Sequence, residues 1–139
     1  MDQGLLTGSV FIDLRKAFDT IDQSVLLNKL TKYRINDLEL KWFNNYLLQR
    51  SQVVWLGNVL SEQCQVLSGV LQGSILGPLL FVIFVNDLPS VFSKCQVLMY
   101  ADDTVIYYAS KTVPEIEQIL TNEFACLCQW LLDNNLFLN

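Results

Sequence analysis

Asp102 and Asp103 stand side by side in an otherwise apolar, β-prone run from Val97 to Tyr108, and Asp13 closes a second such run, Ser9 to Asp13. Burying two adjacent carboxylates is costly unless they lie in a turn or face cations. Taken singly, each has a simple explanation: a hairpin turn for Asp102-Asp103, a strand-end or capping carboxylate for Asp13. Taken together, two strands ending in carboxylates can bring three acids to one place, where they repel unless metal binds. Hard oxygen ligands without His or Cys suit Mg²⁺, which shares its coordination with water and substrate phosphates. Two such ions about 3.5 to 4 Å apart would activate an attacking oxygen and stabilise the leaving one, with no side-chain nucleophile. The chemistry this pattern points to is phosphoryl transfer.

The elements that must position these acids can be read from local pattern. Ser9 to Asp13 predicts a strand that follows Thr7-Gly8 and ends at Asp13. Asp22 is a plausible N-cap for a helix to about Tyr33, carrying Val25, Leu26, Leu27 and Leu30. Asp37 could cap a second, with Leu38, Trp42 and Tyr46 at i, i+4 and i+8. Gln52–Leu56 and Val59–Leu67 are β-prone runs joined by a Gly57-Asn58 turn. A loop from Ser68 to Ser74 follows, then a buried helix to about Asn86, stopped by Pro89. Val97 to Tyr108 reads as two strands around Ala101-Asp102-Asp103, and Pro114 starts a last helix carrying Ile116, Ile119, Leu120, Phe124, Leu127 and Leu131. Asn134 to Asn139 looks like the start of a further strand. Hairpins rather than regular βαβ alternation predict an α+β domain, an antiparallel sheet with helices on one face, and no domain boundary inside the chain.

Composition bounds the answer further. The 139 residues are 52% hydrophobic and 17% charged, with a mean hydropathy of +0.33, which excludes disorder and low-complexity classes. So low a charged fraction hints at apolar surface meant for a covering neighbour. The net charge is −5. Acids and bases balance up to residue 70, whereas beyond it seven acids face only Lys94 and Lys111, so charge argues against autonomous binding of a polyphosphate backbone. With no histidine, and with Cys64, Cys95, Cys126 and Cys128 lacking CxxC spacing, the usual zinc sites and Ser/His or Cys/His pairs are removed. Reduced core thiols in an intracellular protein are the expectation. The longest apolar run, Leu79 to Val85, is too short to span a membrane, and Met1-Asp2-Gln3-Gly4 does not read as a secretion signal.

Three ordered stretches carry a resemblance. Phe11-Ile12-Asp13-Leu14-Arg15-Lys16-Ala17-Phe18-Asp19-Thr20-Ile21-Asp22 looks like motif A of the reverse transcriptases of non-LTR (LINE-type) retrotransposons. Gly69-Val70-Leu71-Gln72-Gly73-Ser74-Ile75-Leu76-Gly77-Pro78-Leu79-Leu80-Phe81 looks like their motif B, and Tyr100-Ala101-Asp102-Asp103 like motif C, with Asn86-Asp87-Leu88-Pro89 between B and C. The chain closely resembles the palm region of that family over nearly its whole length.

The resemblance implies an RNA-directed DNA polymerase that joins a primer 3′-hydroxyl to a dNTP on an RNA template. It implies that Asp13 and Asp102 ligate two Mg²⁺ ions, with Asp103 as third carboxylate and the backbone carbonyl of Ile12 or Leu14 assisting. Phe18 would be the aromatic gate that crowds a ribose 2′-hydroxyl, a role compatible with core packing. Gln72 and Gly73 would border the template base and incoming nucleotide, and Tyr100 and Ala101 the primer end. Arg15 and Lys16 could reach phosphate, though exposed bases after a strand are commonly just solvated. The chain departs from many relatives at Gln23, where they carry His, and at Leu71, where they carry Pro. Relative to the family, fingers and thumb are missing and Asn139 precedes the motif D lysine, so the chain alone is expected to be inactive, in nucleus or cytoplasm. Two rivals stand beside this: a relic or co-opted, non-catalytic interaction module, and a group II intron maturase-like or other bacterial reverse transcriptase.

Overall fold

The computed structural model describes residues 4–139; the start of the chain, Met1 to Gln3, read above for a secretion signal, lies outside them. The elements in order are β1 (Leu6–Ile12), α1 (Ala17–Thr20), α2 (Gln23–Lys32), α3 (Asp37–Leu47), β2 (Arg50–Gln52), β3 (Trp55–Leu56), β4 (Val59–Leu60), β5 (Cys64–Val66), α4 (Leu76–Val85), a 3-10 turn (Leu88–Val91), β6 (Gln96–Tyr100), β7 (Asp103–Ser110) and α5 (Val113–Asp133). They form two compact units, one of the residues up to Ala17 with Val85–Asn139, the other Phe18–Phe84. The chain is α+β, its main sheet antiparallel.

The first unit is a three-stranded sheet in the order β1-β7-β6, both pairings antiparallel. Its two faces differ. Val10, Ile106 and Val97 share one row and Ile106 is fully buried, whereas Phe11, Val105 and Leu98 form the next row on the opposite face, where Phe11 is 79% exposed. Helix α5 packs on β1 and β7. Its buried stripe, Ile116, Glu123, Leu127, Trp130 and Leu131, recurs at helical spacing. β1 begins earlier than expected and takes in Thr7 and Gly8. A Cβ at Gly8 would stand 2.3 Å from Cγ2 of Ile116, so glycine here is the condition for the helix lying close on the strand. After α5, Asn135 at φ +54° turns the chain, and the N–H groups of Asn135 and Leu136 donate to the carbonyls of Leu132 and Leu131. The chain end then pairs back with β1: Leu138 bridges Leu14, and Arg15 N–H donates to the Phe137 carbonyl at 2.8 Å.

In the second unit, Asp22 caps α2 as expected, its Oδ1 accepting from the N–H groups of Ser24 and Val25. α2 packs against α3. Lys29, buried on α2, donates to the Phe84 carbonyl at 2.6 Å near the end of α4. Four expectations need correction. Asp37 does not cap α3: the cap position is Asn36, without a side-chain bond, and Asp37 begins the helix at φ +50°. The Gly57-Asn58 turn forms, but the ladder breaks, because two residues (Val53, Val54) face three (Ser61 to Gln63) between the β3–β4 and β2–β5 pairs. That bulge is held by the Ser61 hydroxyl, which accepts from Val54 N–H. Helix α4 is buried on one face only, since Leu80, Phe81 and Phe84 are enclosed while Leu79 and Val82 are exposed. The cysteines are free but not core: Cys64 and Cys126 are exposed, Cys95 and Cys128 half-buried. Among the described residues, no helix is long and apolar enough to cross a membrane.

Candidate active site

β6 and β7 form a hairpin whose last pair is Tyr100 with Asp103, leaving Ala101 and Asp102 as the turn. Ala101 sits at φ +53°, a left-handed conformation that an L-residue adopts only at a cost. On the other side of β7, the ladder with β1 ends at Ile12 and Thr104. One residue beyond, on the open face of Phe11, Val105 and Leu98, come Asp13 and Asp103. The two line one cleft of about 390 Å³ with Phe11, Ile12, Thr104 and Val105. None of these lining residues is basic.

Asp13 is held from the far side by the end of the chain. Asn139 N–H donates to the Asp13 carbonyl at 3.1 Å, and its side-chain amide donates to Asp13 Oδ2 at 2.8 Å. A carboxylate accepting an amide on one oxygen keeps acceptor capacity on the other. Asp102, half-buried on the turn, does not line the cleft. Among the described residues, no three His, Cys, Asp or Glu side chains are grouped as a metal cage. The donor chemistry nevertheless fits a hard divalent cation, which is commonly held by one or two carboxylates while substrate phosphates and water complete the shell.

The sheet unit thus carries Ile12, Asp13, Tyr100, Ala101, Asp102 and Asp103 of the predicted site. Tyr100 is 82% exposed. Phe18, Gln72 and Gly73 belong to the second unit. There the Phe18 ring stacks on Phe81 with centroids 4.5 Å apart, and Phe18 is half-buried. Gln72 and Gly73 are the exposed apex of a loop, Gly73 at φ +83°. The loop starts from Gly69, whose φ of +81° and whose absent Cβ, which would lie 2.8 Å from the Asp19 carbonyl, both demand glycine. Val70 N–H donates to the Phe18 carbonyl at 2.9 Å. At the far end, Ser74 accepts from Tyr46 at 3.0 Å and from the Gly77 N–H. A cleft of about 700 Å³ lined by Asp19, Arg50, Ser68 and Gln72, among others, opens beside this loop.

Glu123 escaped the sequence reading. It is an acid in the middle of the α5 apolar stripe, and that misplacement was the available signal. Its carboxylate accepts from Ser93 N–H at 2.9 Å and from the Ser93 hydroxyl at 2.7 Å, fixing the chain just before β6. Burial alone would raise its pKa, but hydrogen bonds from the Ser93 side chain and from the N–H groups of Ser93, Lys94 and Cys95 outweigh it and hold the carboxyl below its ordinary value. The Cys95 thiol is pushed up, first by burial and then by the Glu123 charge, which disfavours its reactive thiolate.

Against this geometry, residues 2–139 match the family described as reverse transcriptase (RNA-dependent DNA polymerase). The chain belongs to the reverse transcriptase family. It is 31% identical to a probable RNA-directed DNA polymerase from transposon BS of Drosophila melanogaster, over 91% of this chain and 15% of that protein. It is 33% identical to the corresponding protein of the X-element of the same species, over 74% of this chain and 12% of the relative. The RNA-directed DNA polymerase from mobile element jockey is 29% identical over 93% of the chain and 15% of its own length. The resemblance to non-LTR retrotransposon reverse transcriptases is thereby borne out, for a chain that spans well under a fifth of these relatives.

Proposed function

We propose that this chain is the palm of an RNA-directed DNA polymerase that extends a primer 3′-hydroxyl with dNTPs on an RNA template. The observation that carries the reading is the meeting of Asp13 and Asp103 in one cleft with no basic residue in its lining, in a chain that belongs to the reverse transcriptase family. We assign Asp13, Asp102 and Asp103, with the Ile12 carbonyl, to hold two Mg²⁺ ions, which when bound supply the positive charge for in-line phosphoryl transfer. Asn139 orients the Asp13 carboxylate through its side-chain amide. The Phe18 ring, braced by Phe81, discriminates against a ribose 2′-hydroxyl. Gln72 and Gly73 border the template base and incoming nucleotide, and Tyr100 and Ala101 the primer end. Basic residues that grip phosphate come from fingers and thumb outside this chain, which alone is inactive; the site of action is nucleus or cytoplasm.

The test is primer extension by a polypeptide that supplies fingers and thumb around this chain. The expected result is dNTP incorporation that follows an RNA template and ceases when divalent cations are chelated. Incorporation independent of template, or none from a folded polypeptide, would contradict the assignment.

A further inference from the structure

Three backbone features of Gly69 are fixed by neighbours far along the chain. Its N–H donates to the Ile21 carbonyl at 2.8 Å, and its Cα lies too close to Asp19 to carry a side chain. Its carbonyl oxygen, with two lone pairs, accepts two side-chain donors: Gln23 Nε2 at 3.0 Å and Arg50 Nη2 at 2.8 Å. Gln23 is only 3% exposed, so its amide has been withdrawn from water for this bond. Arg50 is held flat by a second carbonyl, that of Leu47, which accepts from Nε at 2.9 Å. A guanidinium spanning two carbonyls is a rigid brace that an ammonium cannot reproduce. Gly69, at φ +81°, is the root from which the Gln72–Gly73 apex projects, and beyond the apex Ser74 is tied to Tyr46.

We propose that Gln23 and Arg50 are positioning residues for nucleotide binding: by sharing the Gly69 carbonyl they fix the root of the Gln72–Gly73 loop. This rests on the polymerase reading above. The requirement at position 23 is a buried N–H donor of the right reach, which an imidazole also meets and a thioether of similar length does not.

The experiment compares Gln23→Met and Gln23→His with the parent in the polypeptide that supplies fingers and thumb, reading dNTP KM and kcat, with hydrogen exchange at Val70 and Ser74. In Gln23→Met, KM rises roughly tenfold, the scale of one lost buried hydrogen bond, kcat changes little, and exchange at both amides accelerates; Gln23→His restores all three. If Gln23→Met does not fold, Arg50→Lys carries the same expectation. Unchanged exchange and KM in a folded Gln23→Met variant would overturn the proposal, as would faster exchange with unchanged KM, or a Gln23→His variant no better than Gln23→Met. In each of those outcomes the parent extends primers normally. A parent that extends none overturns the polymerase reading itself and this proposal with it.

Discussion

Ala101 occupies the first turn position between Tyr100 and Asp103 with φ +53°, a conformation that a β-branched side chain resists most. Ala101→Val is expected to lower stability by about 1 to 2 kcal/mol, measured by denaturant midpoint, while Ala101→Gly leaves it within about 1 kcal/mol because relieved strain offsets added unfolded-state freedom. The gating role proposed for Phe18 and its packing against Phe81 are separated by one substitution. Phe18→Ala should raise ribonucleotide incorporation by at least about tenfold, in competition assays of dNTP against NTP; unchanged selectivity with lowered stability would reduce Phe18 to packing against Phe81. The acids were legible as residues because carboxylates in a β-prone apolar run conflict with burial. What was not legible is which of them meet, since that depends on register. The Ile12–Thr104 and Tyr100–Asp103 pairs set Asp13 and Asp103 side by side and leave Asp102 on the turn.

Helices and turns with local signals were readable: the Asp22 cap needs only Ser24 and Val25, and Gly57-Asn58 encodes its own turn. Elements decided by distant partners were not. Gly8 reads as lying just before the strand until α5 is packed on it, and the Ser61 bulge exists only because two strand segments of unequal length must pair. Glu123 belongs here also. Its folded pKa is lowered, so its contribution to stability is complete above the ordinary carboxylate range and is lost as pH falls through the folded value. Glu123→Gln is therefore expected to cost about 1 kcal/mol at pH 7, with thermal midpoints of variant and parent converging below about pH 4. A constant gap across that range would show that the carboxylate charge is immaterial to the α5 anchor. Gly69→Ala, strained by φ and by the Asp19 backbone together, should cost about 2 kcal/mol or more in a denaturant titration.

At the scale of the molecule, the low charged fraction has a visible counterpart. Trp55, Leu56, Val59 and Leu60 at the β3–β4 tip are exposed, as are Phe11 and Leu98 on the open sheet face. Exposed apolar groups of this size favour association, so the isolated chain should self-associate with rising concentration, and Trp55→Lys with Leu56→Lys should shift its sedimentation toward monomer. The acids at the end of β1 and at the β6–β7 hairpin are proposed to perform nucleotidyl transfer. The most direct measurement is single-nucleotide incorporation on an RNA template by Asp13→Asn and Asp102→Asn, within a polypeptide supplying fingers and thumb, alongside circular dichroism to verify the fold. Both variants are expected to fold as the parent does and to lose incorporation by at least about a thousandfold, the scale of removed transition-state charge stabilisation. Near-parental incorporation by either folded variant would overturn the proposed role of these acids.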